Sequence, residues 1–110
     1  MAIIITNATP EDLLKSIYKA IDDKKITTWS YDKDKDFTHE TTQWKNKAWL
    51  RPKVYDKELR FGILKQKDIN LSSEIYAIYH GRFIEMLLAH FDSKFGHAIA
   101  TAAKTEPDNF

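Results

Sequence analysis

Residues 44–55 read Trp44-Lys45-Asn46-Lys47-Ala48-Trp49-Leu50-Arg51-Pro52-Lys53-Val54-Tyr55, and they sort into two sets. Even positions hold Trp44, Asn46, Ala48, Leu50, Pro52 and Val54, while odd positions hold Lys45, Lys47, Trp49, Arg51, Lys53 and Tyr55. Successive side chains of a strand point to opposite faces. The alternation therefore predicts a strand over 44–55, with a mostly apolar face toward a core and a basic, aromatic face turned away. Pro52 cannot donate to a ladder, so the strand lies at an edge there or bends.

The neighbouring residues extend this pattern. Asp56-Lys57 forms a turn, after which Leu59, Phe61 and Ile63 alternate with Arg60, Gly62 and Leu64. So short a link pairs the two strands antiparallel. Upstream, Trp29 and Tyr31 alternate with Thr28 and Ser30, and the run Asp32-Lys33-Asp34-Lys35-Asp36 reads as a hairpin loop into Phe37–Thr41.

Helical spacing frames the sheet. Thr9-Pro10-Glu11-Asp12 supplies an N-cap hydroxyl, a proline at the first helical position and first-turn acids. Leu13, Leu14, Ile17, Tyr18 and Ile21 then form one stripe, ending near Lys24. A second helix is placed from about Ser72 to Phe91, capped by Asn70 or Ser72 and apolar on most sides, which makes it the central core element. Gly81 in its middle is explained by close backbone approach to the sheet. Ile3-Ile4-Ile5 suits a buried strand. His97 to Ala102 permits a short strand or a helical turn, and the strand is preferred. Residues 105–110 read as a frayed tail.

The prediction is a single α+β domain over 1–110. An antiparallel sheet of three to five strands is packed on one face by two helices, in the order β-α-β-β-β-β-α-β.

Composition limits the functional classes. The chain has no cysteine, which excludes disulfides, thiolate metal sites and a cysteine nucleophile, and suits a reducing cytoplasm. No signal-like or membrane-spanning segment is read, because Ile75–Phe91 is interrupted by His80, Arg82, Glu85 and His90. Seventeen Lys and Arg against sixteen Asp and Glu leave a net charge of +1, so no global field favours nucleic acid or membrane. That balance is an average. Residues 44–55 carry four positive charges and no negative ones, leaving −3 for the rest.

Three groups of residues are candidates for chemistry. The odd face Lys45, Lys47, Trp49, Arg51, Lys53 and Tyr55 can track phosphates and stack bases. Lysines there can equally discourage edge pairing, and Trp49 can lie under lysine stems. Asp32, Asp34 and Asp36 match the opening of a calcium loop, but Phe37 and Gln43 stand where glycine and a bidentate glutamate belong. A solvated turn is the better reading, and no metal is expected. Among His39, His80, His90 and His97 there is no H-x-x-x-H or H-E-x-x-H pair. His80 reads as a satisfied core histidine or as part of a polar pocket with Arg82 and Glu85, which otherwise pair at i, i+3. There is no glycine-rich phosphate loop or nucleophile elbow, because Gly62, Gly81 and Gly96 are too scattered.

The leading expectation is a small cytoplasmic, non-catalytic binding protein that needs no cofactor. It uses the open face of its sheet, anchored by Trp29, Tyr31, Trp49 and Arg51, to hold a protein partner or a second copy. The alternatives are single-stranded nucleic-acid binding through Lys45–Lys53, and a small acid/base enzyme around His80, Arg82 and Glu85.

Overall fold

The computed structural model describes residues 1–110. Its strands are β1 (Ile3–Thr6), β2 (Trp29–Tyr31), β3 (Phe37–His39), β4 (Ala48–Tyr55), β5 (Glu58–Lys65) and β6 (Ala98–Ala100), with helices α1 (Pro10–Asp22) and α2 (Ser73–Phe91). All six strands join one antiparallel sheet in the order β2-β3-β4-β5-β1-β6, so the fold is α+β. The count exceeds the expected three to five because β1 inserts between β5 and β6, drawing both ends of the chain into one sheet.

The β4–β5 hairpin sets the register of the rest. Leu50 faces Ile63, Pro52 faces Phe61 and Val54 faces Leu59, while Ile3 and Ile5 of β1 face Phe61 and Leu59. Period-two alternation then puts these residues on one side. That side carries the core, where Leu13 and Ile17 of α1 meet Tyr79, Phe83, Leu87 and Phe91 of α2. Phe83 is its aromatic hub, with ring centroids 4.8 Å from Trp29, 4.7 Å from Phe61 and 5.5 Å from Phe37.

The helix starts follow the sequence, with one difference. Ser72 caps α2, its Oγ accepting from the Ile75 amide at 3.1 Å. Pro10 opens α1 as expected, but Thr9 makes no side-chain cap bond; its own amide donates instead to Asn7 Oδ1. No helix is long and apolar enough to cross a membrane.

Three expectations are corrected. The long strand begins at Ala48 and not at Trp44. Residues 41–47 close on themselves, with the Trp44 and Lys45 amides donating to Thr41 O and Asn46 at φ 59°. Lys45 and Lys47 therefore lie in a turn. Gly81 has nothing within 4 Å of where a Cβ would stand; the glycine that permits close approach is Gly62, whose Cβ would lie 2.3 Å from the Pro107 carbonyl carbon. Residues 105–110 are docked and not frayed. Asp108 Oδ1 accepts from the Ile63 amide at 2.8 Å, and the Asn109 amide donates to Ile63 O at 3.0 Å. This segment takes up the β5 edge beyond the start of β1, and Asp108 also meets the Met1 ammonium at 3.0 Å.

Two buried histidines make stability depend on pH. His80 sits with Nδ1 2.9 Å from Tyr76 O and Nε2 2.5 Å from Met1 O, so either neutral tautomer donates to only one carbonyl. His39 has Nδ1 2.7 Å from Thr28 O, its ring stacked on Trp29, and a buried Nε2 without a partner. Burial holds both below the ordinary histidine range. For His80 the bonds to the Met1 and Tyr76 carbonyls and the Asp108 charge oppose burial while the Met1 ammonium reinforces it; for His39 the bond to the Thr28 carbonyl and the charges of Glu85 and Glu40 oppose while Arg82 reinforces. With a depressed folded-state pKa the stability is fully present above the unfolded value of about 6.5 and is lost as pH falls from there toward the lower folded-state value. The expected result is a melting temperature that drops between about pH 7.5 and pH 5.5. His39→Asn and His80→Asn should each flatten that slope, and an unchanged slope in both variants contradicts the assignment.

Candidate functional site

The outer face of the sheet follows from the register already described. With Ala48 and Leu50 in the core, Trp49, Arg51, Lys53 and Tyr55 point the other way, opposite Leu64, Gly62, Arg60 and Glu58 of β5. Both helices pack on the core side, so neither covers this face; the C-terminal tail covers part of it, because a Cβ at the outward-facing Gly62 would lie 2.3 Å from the Pro107 carbonyl carbon. Arg51 and Lys53 are exposed, and Trp49 and Tyr55 are half-buried. Ile4 of β1 continues the face, paired with Arg60 on one side and Ile99 on the other.

Its charges are partly compensated. Arg51 makes a two-pronged bond to Asp36, Nε to Oδ1 at 3.0 Å and Nη2 to Oδ2 at 2.8 Å. The Asp36 carboxylate holds the guanidinium even more firmly protonated than usual. Arg60 pairs with Glu58 at 3.0 Å and also donates to Glu106 O, which ties the face to the docked tail. Lys45 pairs with Glu40 at 2.6 Å, and Glu40 takes a second bond from Ser30, so both partners hold its carboxyl below the usual range. Lys47 and Lys53 make no salt bridge. The Tyr55 ring lies between two cations, 4.6 Å from Arg60 Cζ and 5.3 Å from Lys53 Nζ.

Other predicted site residues lie elsewhere. Trp29 is only 2% exposed and packs against Tyr79 and Phe83. Tyr31 packs on Tyr18 and Phe37, with its hydroxyl donating to Asp22 at 2.6 Å. The register explains both. Tyr31 faces Phe37 and Trp29 faces His39, so the apolar set of β2 joins the helix-covered side. Trp29 is thus a core residue and Tyr31 a half-buried one packed against the core, and neither is an anchor on the open face.

His80, Arg82 and Glu85 do not converge. His80 is buried against the Met1 carbonyl, whereas Arg82 and Glu85 are exposed on α2 and form no ion pair. Three clefts indent the surface, and none is lined by any of the three. The charges of Arg82 and Glu85 instead act on His39, a residue whose place beside Phe37 on the inner face could be read from the 37–39 alternation.

Asp32, Asp34 and Asp36 do cluster, with carboxylate oxygens within 4.8 Å of one another. The loop gives them structural work. Asp32 Oδ1 accepts from the Asp34 and Asp36 amides, and Asp36 is taken by Arg51. Lys35, at φ 68°, lays its ammonium over the Tyr18 and Tyr31 rings at 5.0 and 4.8 Å, and its carbonyl accepts from the Tyr18 hydroxyl. Burial and then Asp36 push the Tyr18 phenol well up, which keeps it a donor.

Comparison with protein-family models, with curated proteins and with solved structures finds no match.

Proposed function

We propose that this protein is a non-catalytic interaction module that offers the outer face of its sheet to an acidic protein surface. Trp49 and Arg51 are the anchors, with Lys53, Tyr55 and Arg60 around them. The observation that carries this reading is the one-sided helix packing: both helices lie on one side, and the other, outside the tail's cover at Gly62, presents Trp, Tyr, Arg and Lys. Aromatic and arginine side chains are the types that dominate binding energy at protein interfaces. Arg51 is held in place by Asp36, so less side-chain entropy is lost on contact. Lys53 and Lys47 have no carboxylate partner and favour acid on the other side.

A nucleic-acid ligand is less well supported by the same face. Lys45 and Arg51 are already paired with carboxylates, so Lys47 and Lys53 are the free cations of the stripe, too few to track a run of phosphates, whereas a protein contact also draws on Trp49 and Tyr55. A cytoplasmic setting fits a chain without cysteine.

Comparative affinity capture tests the proposal, using the wild-type chain, a Trp49→Ala, Lys53→Glu variant and a Lys15→Glu control on α1. The expected result is a protein retained by wild type and control and lost from the face variant. Capture of single-stranded nucleic acid in place of a protein, weakening with salt, contradicts it.

A further inference from the structure

The two edges of the sheet are built differently. At one, β2 lies between Lys24-Lys25 and the Asp32–Asp36 run, and its Ser30 hydroxyl is bound to Glu40. At the other, β6 is outermost, and no Asp, Glu, Lys or Arg falls between Lys94 and Lys104. Edge strands usually carry lysine, proline or a bulge that blocks pairing with another chain. The β6 strand, Ala98-Ile99-Ala100, has no such device.

Register decides which of its backbone groups are free. The Thr6 amide donates to His97 O at 3.1 Å, the Thr101 amide to Ala2 O at 2.9 Å, and Ile4 faces Ile99. Residues 97, 99 and 101 therefore turn their hydrogen-bonding groups toward β1. Direction alternates along a strand, so Ala98 and Ala100 aim their N–H and C=O groups away from the sheet. Their side chains are single methyls, and Ile99 between them is 48% exposed.

We infer that β6 is a self-pairing edge that joins a second copy of this chain, antiparallel, about a twofold axis at Ile99. In that register Ala98 of each copy faces Ala100 of the other, and each such pair exchanges two N–H···O=C bonds. The two Ile99 side chains then meet as a close, non-hydrogen-bonded pair. A twofold contact needs a patch complementary to itself, and this one matches every outward donor with an acceptor. A net charge of +1 and an uncharged edge oppose the approach of two copies only weakly. Three residues a side bury less than the roughly 1,200 Å² of a stable interface, so the dimer is weak and depends on concentration. It would make the two open faces continuous, whatever partner that face takes.

Sedimentation velocity on the full chain from about 10 µM to about 1 mM, with amide exchange followed by NMR, tests this. The expected result is a concentration-dependent dimer in which the Ala98 and Ala100 amides gain protection, while Ile99, bonded to β1, is protected throughout. Ala100→Pro removes an outward donor and leaves the β1 ladder intact, and Ile99→Lys installs the missing edge charge. Each should weaken dimerisation at least about tenfold. If Ala100→Pro fails to fold, Ile99→Lys alone decides. A chain that stays monomeric at the top concentration, or a dimer unaltered by Ile99→Lys, overturns the inference.

Discussion

Phe83→Ala is expected to cost about 3–5 kcal/mol. Phe83 is fully buried on α2, and its ring meets Trp29, Phe37 and Phe61, residues of β2, β3 and β5. Truncation leaves a cavity that three other rings border, each on a different strand. Those strands are fixed by their own ladders, so the space cannot collapse without disturbing the sheet. Aromatic pairs add about 0.5–1.5 kcal/mol beyond area burial, which places this site toward the upper end of that range. Against a total stability of about 5–15 kcal/mol, the variant loses roughly a fifth or more of its margin. Thermal unfolding should shift down by about 15–25 °C. Leu88→Ala, on the exposed side of the same helix, should move stability by about 0.5 kcal/mol or less. A Phe83→Ala shift below about 5 °C contradicts the account of the core.

Gly62→Ala should also be strongly destabilising, by a different route. A Cβ at Gly62 would lie 2.3 Å from Pro107 C and 2.5 Å from both Asp108 N and Pro107 O. Those are backbone atoms, and Gly62 itself is held in the β4–β5 ladder opposite Arg51, so the tail must move. Moving it breaks the Asp108 and Asn109 bonds to Ile63 and the Asp108 pairing with the Met1 ammonium. Overpacking and the lost bonds together cost about 2–3 kcal/mol, or about 10 °C or more in melting temperature. Release of the tail should also expose residues 101–110 to rapid hydrogen exchange and proteolysis. Gly81→Ala is the natural control, because its Cβ meets nothing and alanine is the better helix former. A Gly62→Ala protein that melts within about 2 °C of wild type, tail still protected, contradicts the docking.

Local pattern made much of this fold legible. The even–odd alternation from Ala48 to Tyr55 and its mirror in Leu59, Phe61 and Ile63 specify a hairpin with one apolar face. The Thr9-Pro10 and Ser72 starts delimit two helices that must cover it. What sequence reading missed depends on residues far apart in the chain. Nothing local at Trp44-Lys45-Asn46-Lys47 separates a strand from a turn, because a polar residue at Asn46 satisfies either, and amide bonds to Thr41 decide it. The tail contains Pro107, Asp108 and Asn109, a composition that reads as loose, yet Asp108 matches an amide that β1 is too short to reach. Gly81 and Gly62 look alike in sequence, and only the tail's path distinguishes them.

The candidate site was legible to a similar degree. Trp49, Arg51, Lys53 and Tyr55 share a face because their spacing requires it. That Asp36, Glu40 and Glu58 compensate parts of the basic surface depends on how β3, the 41–47 turn and β5 are brought beside it. Sequence alternation does not place Trp29 and Tyr31, because a three-residue strand does not state which neighbour its aromatic set meets. The pairing of Tyr31 with Phe37 settles it.

Site-specific photo-cross-linking in the native cellular background tests the central claim most directly. A photoreactive residue replaces Lys53 on the outer face in one version of the chain and Lys15 on α1 in another. The account predicts a discrete protein adduct from position 53 that is absent from position 15 and is lost when Trp49→Ala is added. The same adducts from both positions, or none from position 53 while position 15 gives one, would contradict an interaction face on the open side of the sheet.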